Sequence, residues 1–162
     1  MHEFKTAKMD GRTRLLTVIF LILLPVLAIS SFFFEPQKLS VSIFLCLLFV
    51  AVIFISYAFV PKRIALSAEQ ILIQNLYGAV VIHLNEIKSV ERLEKVGFNF
   101  RTFGVGGLFG YFGYFNGRDV WYVTNIYKKI KITLHNGKIY MLSPEEPELF
   151  IDEIRKISAK RG

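Results

Sequence analysis

Two long uncharged runs open the chain, and a change of period follows them. Residues 15–34 (LLTVIFLILLPVLAISSFFF) and 39–60 (LSVSIFLCLLFVAVIFISYAFV) contain no Asp, Glu, Lys or Arg. As helices rising ~1.5 Å per residue they reach about 30 and 33 Å, one bilayer core each. Pro25 falls inside the first run, where a lipid-embedded helix tolerates proline as a bend. Only Glu35-Pro36-Gln37-Lys38 separates the runs, which predicts a tight hairpin of antiparallel spans. A cleavable signal has a shorter core and a small-residue cleavage site, whereas the first run ends in phenylalanines.

Beyond residue 60 period two takes over, in short runs bounded by turn residues. Residues 63–66, 71–76 and 79–84 predict strands, with Ile71 and Ile73 opposite Leu72 and Gln74, and with Val80, Ile82 and Leu84 opposite Val81 and His83. Tyr77-Gly78 supplies the turn between the last two. Residues 87–93 read as a further strand or a short turn. Residues 130–142 predict an antiparallel hairpin around Asn136-Gly137, a dipeptide suited to a type I′ turn. Ser143 then predicts an N-cap, with Pro144 at N1 and Glu146 at N3 of a capping box, opening a helix over 144–158. Phe150, Ile151, Ile154 and Ile157 form its apolar face. Acidic residues crowd its start and basic ones its end, complementing the helix dipole.

The chain has 162 residues, 53% hydrophobic and 20% charged, a balance outside that of ordinary soluble domains. Its length allows one domain plus a membrane segment and excludes a large multidomain enzyme. A single cysteine, Cys46, excludes an internal disulfide and a thiolate metal cluster. The net charge of +7 divides into +2 over residues 1–14 (four basic, two acidic) and +5 over residues 61–162 (fifteen basic, ten acidic). Lys and Arg flank both outer ends of the spans while the linker holds only Lys38, so the positive-inside rule places both termini in the cytoplasm of an inner-membrane protein. Basic charge beside a bilayer favours anionic lipid over nucleic acid.

Residues 97–117 (GFNFRTFGVGGLFGYFGYFNG) pack seven of the eleven glycines and eight aromatic residues into one segment. A phosphate-binding loop does not fit: no Lys followed by Ser or Thr ends the glycines, and Phe109 stands where a dinucleotide fingerprint needs glycine. Two readings remain and are compatible. The glycines allow backbone and rings to pack closely within a sheet, or the rings of Phe98, Phe103, Phe109, Tyr111, Phe112, Tyr114 and Phe115 lie at the membrane boundary or against a partner. Arg12, Arg14, Lys62, Arg63, Lys128, Lys129 and Lys131 are the matching candidates for headgroup contact.

The order of two spans, a β-rich region containing RTFGVGGLFGYFGYF (residues 101–115), a hairpin and LSPEEPELFIDEI resembles a family of bacterial membrane proteins with a pleckstrin-homology-like (PH-like) domain. The resemblance covers about residue 61 to the end. It implies an α+β membrane protein in which a basic tail (1–14) and a transmembrane helical hairpin (15–60) precede an antiparallel PH-like β-barrel or bent sheet (61–162) capped by the C-terminal helix. It also implies a binding scaffold. Phosphoinositide-binding PH domains carry a basic motif across the first hairpin; here that turn is Ser67-Ala68-Glu69-Gln70, which has no base.

No catalytic constellation emerges beside this reading. His2, His83 and His135 lack metal-ligand spacing, Cys46 sits mid-span as a small hydrophobe, and the carboxylates of 145–153 complement a helix start. The expectation is a non-catalytic, membrane-anchored module without cofactor or metal, contacting a protein partner, anionic lipid or both. A structural or assembly subunit that uses the hairpin as its contact is the alternative from another class. The topology gives the first prediction. A reporter fused after Gly162 is active only in the cytoplasm, and activity only on the external side overturns the orientation.

Overall fold

A computed structural model describes residues 2–34, 39–93 and 99–160; the linker expected to form a tight hairpin, 35–38, lies outside them. The two helices long and apolar enough to cross a membrane are α1 (Gly11–Phe34) and α2 (Leu39–Ala58), which pack along each other. Helix α1 starts before the uncharged run because Asp10 accepts a hydrogen bond from the Thr13 N–H at 2.9 Å and caps it. Helix α2 stops short of residue 60, where the Val60 N–H turns back to the Tyr57 carbonyl at 3.1 Å and Pro61 offers no donor.

The strands form two sheets. Strands β1 (His2–Phe4), β2 (Arg63–Leu66), β3 (Gln70–Gln74) and β4 (Ala79–His83) make an antiparallel sheet in that order. The larger sheet runs β5-β9-β10-β8-β7-β6, from β5 (Ile87–Arg92), β6 (Arg101–Gly106), β7 (Tyr111–Phe115), β8 (Asp119–Val123), β9 (Ile130–Leu134) and β10 (Ile139–Leu142). Helix α3 (Pro147–Ala159) closes one end. One core joins Ile64, Ile71, Ile73 and Ile82 of the first sheet to Ile130, Ile132 and Leu142 of the second and to Phe150, Ile151 and Ile154 of α3. The period-two reading of β3 and β4 therefore selects the buried face: Ile71, Ile73 and Ile82 are buried, while Val81 and His83 are exposed. The outer face of the larger sheet carries a second cluster of Phe115, Trp121, Val123, Ile126 and Met141. Residues of β8 are buried on both faces, Val120 in the first cluster and Trp121 and Val123 in the second.

Five sequence expectations change. Residues 2–4 are not a solvated tail: β1 pairs antiparallel with β2 in the register Phe4↔Ile64, and the Phe4 ring meets Phe150 edge-on at 4.8 Å. The pair of apolar helices is thus inserted between two neighbouring strands, and both its outer ends return to the same domain. The sheets pack as a sandwich and, among the described residues, do not close into a barrel. Strands β10 and β8 pair parallel, in the register Tyr140↔Val120, because residues 124–129 carry the chain one strand beyond β8 before the β9–β10 hairpin returns into the gap.

The turn at Asn136-Gly137 is not type I′. Only Gly137 has positive φ (81°), its N–H bonds to the Leu134 carbonyl at 3.0 Å, and the Leu134 N–H bonds to the Lys138 carbonyl at 2.8 Å. That is a three-residue loop with its glycine in the left-handed position. The other Asn-Gly, Asn116 (φ 50°) and Gly117 (φ 89°), is the one with positive φ at both positions.

Helix α3 starts at Pro147, not at 144. The segment before it is engaged in pairing with the N-terminus: the Ala7 N–H donates to the Ser143 carbonyl and the Glu145 N–H to the Lys5 carbonyl, both at 2.8 Å. Ser143 is buried, and its hydroxyl accepts from the Thr124 N–H at 2.8 Å instead of capping the helix. Pro147, the second proline, takes the N1 position that suits its missing donor.

If β1 belongs to the domain, Phe4→Ala in the full chain lowers stability by about 3 kcal/mol, as a buried Phe truncation does. Glu3→Ala, which loses an exposed ion pair to Arg63, costs under about 1 kcal/mol. Thermal unfolding in mild detergent compares the two, and equal losses would return β1 to the status of a tail.

Candidate functional site

The site is built where the domain meets the helices. Asp10 is 6% exposed, and its carboxylate accepts from the Thr13 N–H (2.9 Å), the Thr13 hydroxyl (2.9 Å) and the Ile126 N–H (3.1 Å). The first two bonds cap α1; the third fixes that cap to the loop after β8. A buried carboxylate needs such donors to offset its desolvation. About two turns further on, the Thr17 hydroxyl donates to the Thr13 carbonyl at 2.8 Å and accepts from the Phe109 N–H at 2.9 Å. Thr124 and Asn125 extend the seam to the N-terminal segment, the Thr124 hydroxyl bonding the Ala7 carbonyl and the Asn125 amide the Lys8 carbonyl.

The glycine and aromatic segment forms the opposing wall. Gly104 and Gly113 face each other across β6 and β7 with positive φ, and a Cβ on Gly104 would lie 2.1 Å from the Phe112 carbonyl oxygen. The ribbon can bend this tightly only without side chains there. Phe109 has φ 61°, a strained value for a bulky residue; its bond to Thr17 and its edge-on contact with the Tyr57 ring at 5.5 Å hold it there.

The candidate rings separate by environment. Phe112 and Phe115 are buried core residues, Phe115 stacking on Trp121 at 4.4 Å, and are corrected from interface to core. Phe109 and Tyr111 are half-buried. Phe103 is 71% exposed and Tyr114, opposite it across the ribbon, 48%. Phe98 lies outside the described residues.

The candidate cations divide likewise. Arg12 and Arg14 are exposed at the start of α1. The Lys62 ammonium sits 3.8 Å from the centroid of the Tyr57 ring at the end of α2. Arg63 pairs with Glu3, Lys128 with Glu145 at 2.7 Å and Lys131 with Glu91 at 3.0 Å. Lys129 is 2% exposed with its ammonium 5.4 Å from the Trp121 ring centroid, so it is not a surface contact, and burial pushes its pKa down. Arg63, Lys128 and Lys131 are thus committed to carboxylates of the domain and Lys129 to its interior.

Three features escaped the sequence reading. Asp10 and Thr13, in the spacing Asp-x-x-Thr before an apolar run, were a legible cap signal. The turn between β3 and β4 carries exposed Leu76 and Tyr77, with the Leu76 N–H donating to the Ala58 carbonyl at 3.1 Å and Tyr77 packed on Phe59 at 4.8 Å. Finally, Phe20 and Leu24 of α1, Val52 and Ser56 of α2, and Arg101, Gly104, Val105, Gly106 and Leu108 line a cleft of about 240 Å³. Nothing local in the sequence links these positions.

Hydrogen bonding from Lys128, with the Lys8 N–H adding to it, holds the Glu145 carboxyl below its usual range. A depressed folded pKa stabilises the fold above the unfolded value, about 4.3 for Glu, and that contribution disappears as pH falls through the folded pKa. Unfolding of Glu145→Gln against the parent chain as a function of pH tests this. The parent is the more stable at neutral pH and the gap closes in acid; a gap independent of pH would detach Glu145 from the seam.

Among known families, a family model described as a bacterial PH domain matches residues 62–158. No curated protein and no solved structure matches the chain.

Proposed function

Because the chain belongs to the bacterial PH domain family, whose fold is generally a non-catalytic binding module, we propose that it is an integral inner-membrane anchor carrying that module on the cytoplasmic face. In this reading the module binds without catalysis, with anionic lipid of the adjoining leaflet as one contact and a protein partner as the other. One observation carries it: β6 lines a cleft with Phe20, Leu24, Val52 and Ser56, which lie four to nine positions inside the uncharged runs. At ~1.5 Å per residue that is about 6 to 13 Å past the polar boundary. The edge of the domain therefore comes down to the lipid, and the exposed rings of Phe100 and Phe103 on and beside β6 suit the half-wet interfacial zone. Leu76 and Tyr77 beside the end of α2, with Lys62, Arg12 and Arg14, supply a second apolar contact and nearby positive charge.

The test uses full-length chain with Cys46→Ser and a fluorophore on Phe103→Cys, Tyr77→Cys or, as a control at the β9–β10 turn, Asn136→Cys, in nanodiscs containing a headgroup-linked quencher. Positions 103 and 77 are quenched and 136 is not. Quenching is stronger in anionic than in neutral bilayers and weakens with salt, as charge attraction over about 8 to 10 Å must. Equal emission from all three positions would remove the membrane-contact reading.

A further inference from the structure

The same cleft has a chemistry that a general membrane contact does not use. Its floor is apolar, made by Phe20 and Leu24 of α1, Val52 of α2 and Leu108. Its wall is backbone: Gly104 and Gly106 present no side chain, and Gly106 has no positive φ that would demand glycine. A Cβ at Gly106 would meet only the Arg101 side chain, 3.2 Å from a guanidinium nitrogen. Arg101 is thus folded back along the wall, and among the described residues no carboxylate or carbonyl accepts from its guanidinium. Arg101 is an exposed cation beside apolar helix residues, with no acid partner among the described residues, and is open to an anion from outside.

From these observations we propose that the cleft is a discrete binding site for one anionic phospholipid of the adjoining leaflet, with an acyl chain along Phe20, Leu24 and Val52 and the phosphate on the Arg101 guanidinium. The planar guanidinium fork matches phosphate oxygens in pairs, and basic pockets between membrane helices take anionic headgroups. A zwitterionic lipid brings its own ammonium and leaves the Arg101 charge without net compensation, so the site discriminates by headgroup charge. The Ser56 hydroxyl is already committed to the Val52 carbonyl at 2.7 Å, which leaves Arg101 as the polar contact that selects. The proposal rests on the membrane placement argued above and adds stoichiometry and selectivity to it.

Native mass spectrometry of full-length chain released from nanodiscs of equal phosphatidylglycerol and phosphatidylcholine tests it. The parent chain retains one phosphatidylglycerol in preference to phosphatidylcholine. Arg101→Gln lowers phosphatidylglycerol retention by about tenfold, the scale of one lost charge-assisted contact, and Arg101→Lys falls between. Val52→Phe, which adds bulk at an already lipid-exposed position, lowers retention of both lipids. Arg118→Gln, whose side chain lines a different cleft with Asn136 and Lys138, changes nothing. Thermal unfolding of each variant confirms that it is folded. Retention unaffected by Arg101→Gln, equal retention of the two lipids, or no retained lipid overturns the site. If the label at position 103 is still quenched in those cases, the broader membrane-contact reading stands; if that quenching is also missing, both fall.

Discussion

The arrangement depends on one buried carboxylate. Asp10 is at once the cap of the apolar helix α1 and the acceptor for a domain backbone N–H at Ile126. Neither role can be satisfied by water, because the group is buried, so the start of α1 and the loop after β8 hold their positions together or not at all. Thr17 repeats the arrangement about two turns along, joining the Thr13 carbonyl to the Phe109 N–H. Two such clamps on one helix fix rotation as well as position. That fixed rotation directs Phe20 and Leu24 towards β6 and creates the cleft.

What could be read from the sequence follows from the range of each interaction. The two apolar helices, the period-two faces of β3 and β4, and the apolar stripe Phe150, Ile151, Ile154 are local patterns, and each forms the element its period predicts, with shifted ends in the helices. The family resemblance was legible because the glycine block and the segment leading into α3 are unusual strings. Pairings across long separations were not legible. A three-residue His-Glu-Phe segment gives no signal of its own, and it becomes β1 only because β2 offers a free edge with Ile64 opposite Phe4. Ser143 fitted a cap motif, yet Thr124 claimed its hydroxyl. Asn136-Gly137 fitted a two-residue turn, yet the strand register required one more residue. In each case a local preference yielded to a contact that only the folded chain contains.

The site was legible to the same extent. Ring chemistry in 97–117 pointed to an unusual segment, but one dimension of sequence could not say that Phe112 and Phe115 turn inward while Phe103 and Tyr114 turn outward. The bend that separates them comes from a cross-strand glycine pair and a shift of register between Arg101 and Phe103. Arg101 looked like an isolated charge in an apolar block; the ribbon folds it back toward Gly106, beside residues of both helices.

The insertion of the helical hairpin between β1 and β2 also sets an order of assembly. During synthesis β1 is made first, but its partner β2 follows only after both spans. The first strand must therefore wait, unpaired, until both apolar helices have been made. Until then Phe4 and the facing Ile64 lack each other, an apolar edge open to wrong partners. Closing the sheet at β1 is thereby the long-range step of folding, the one that carries the loop-closure entropy of the whole helical pair.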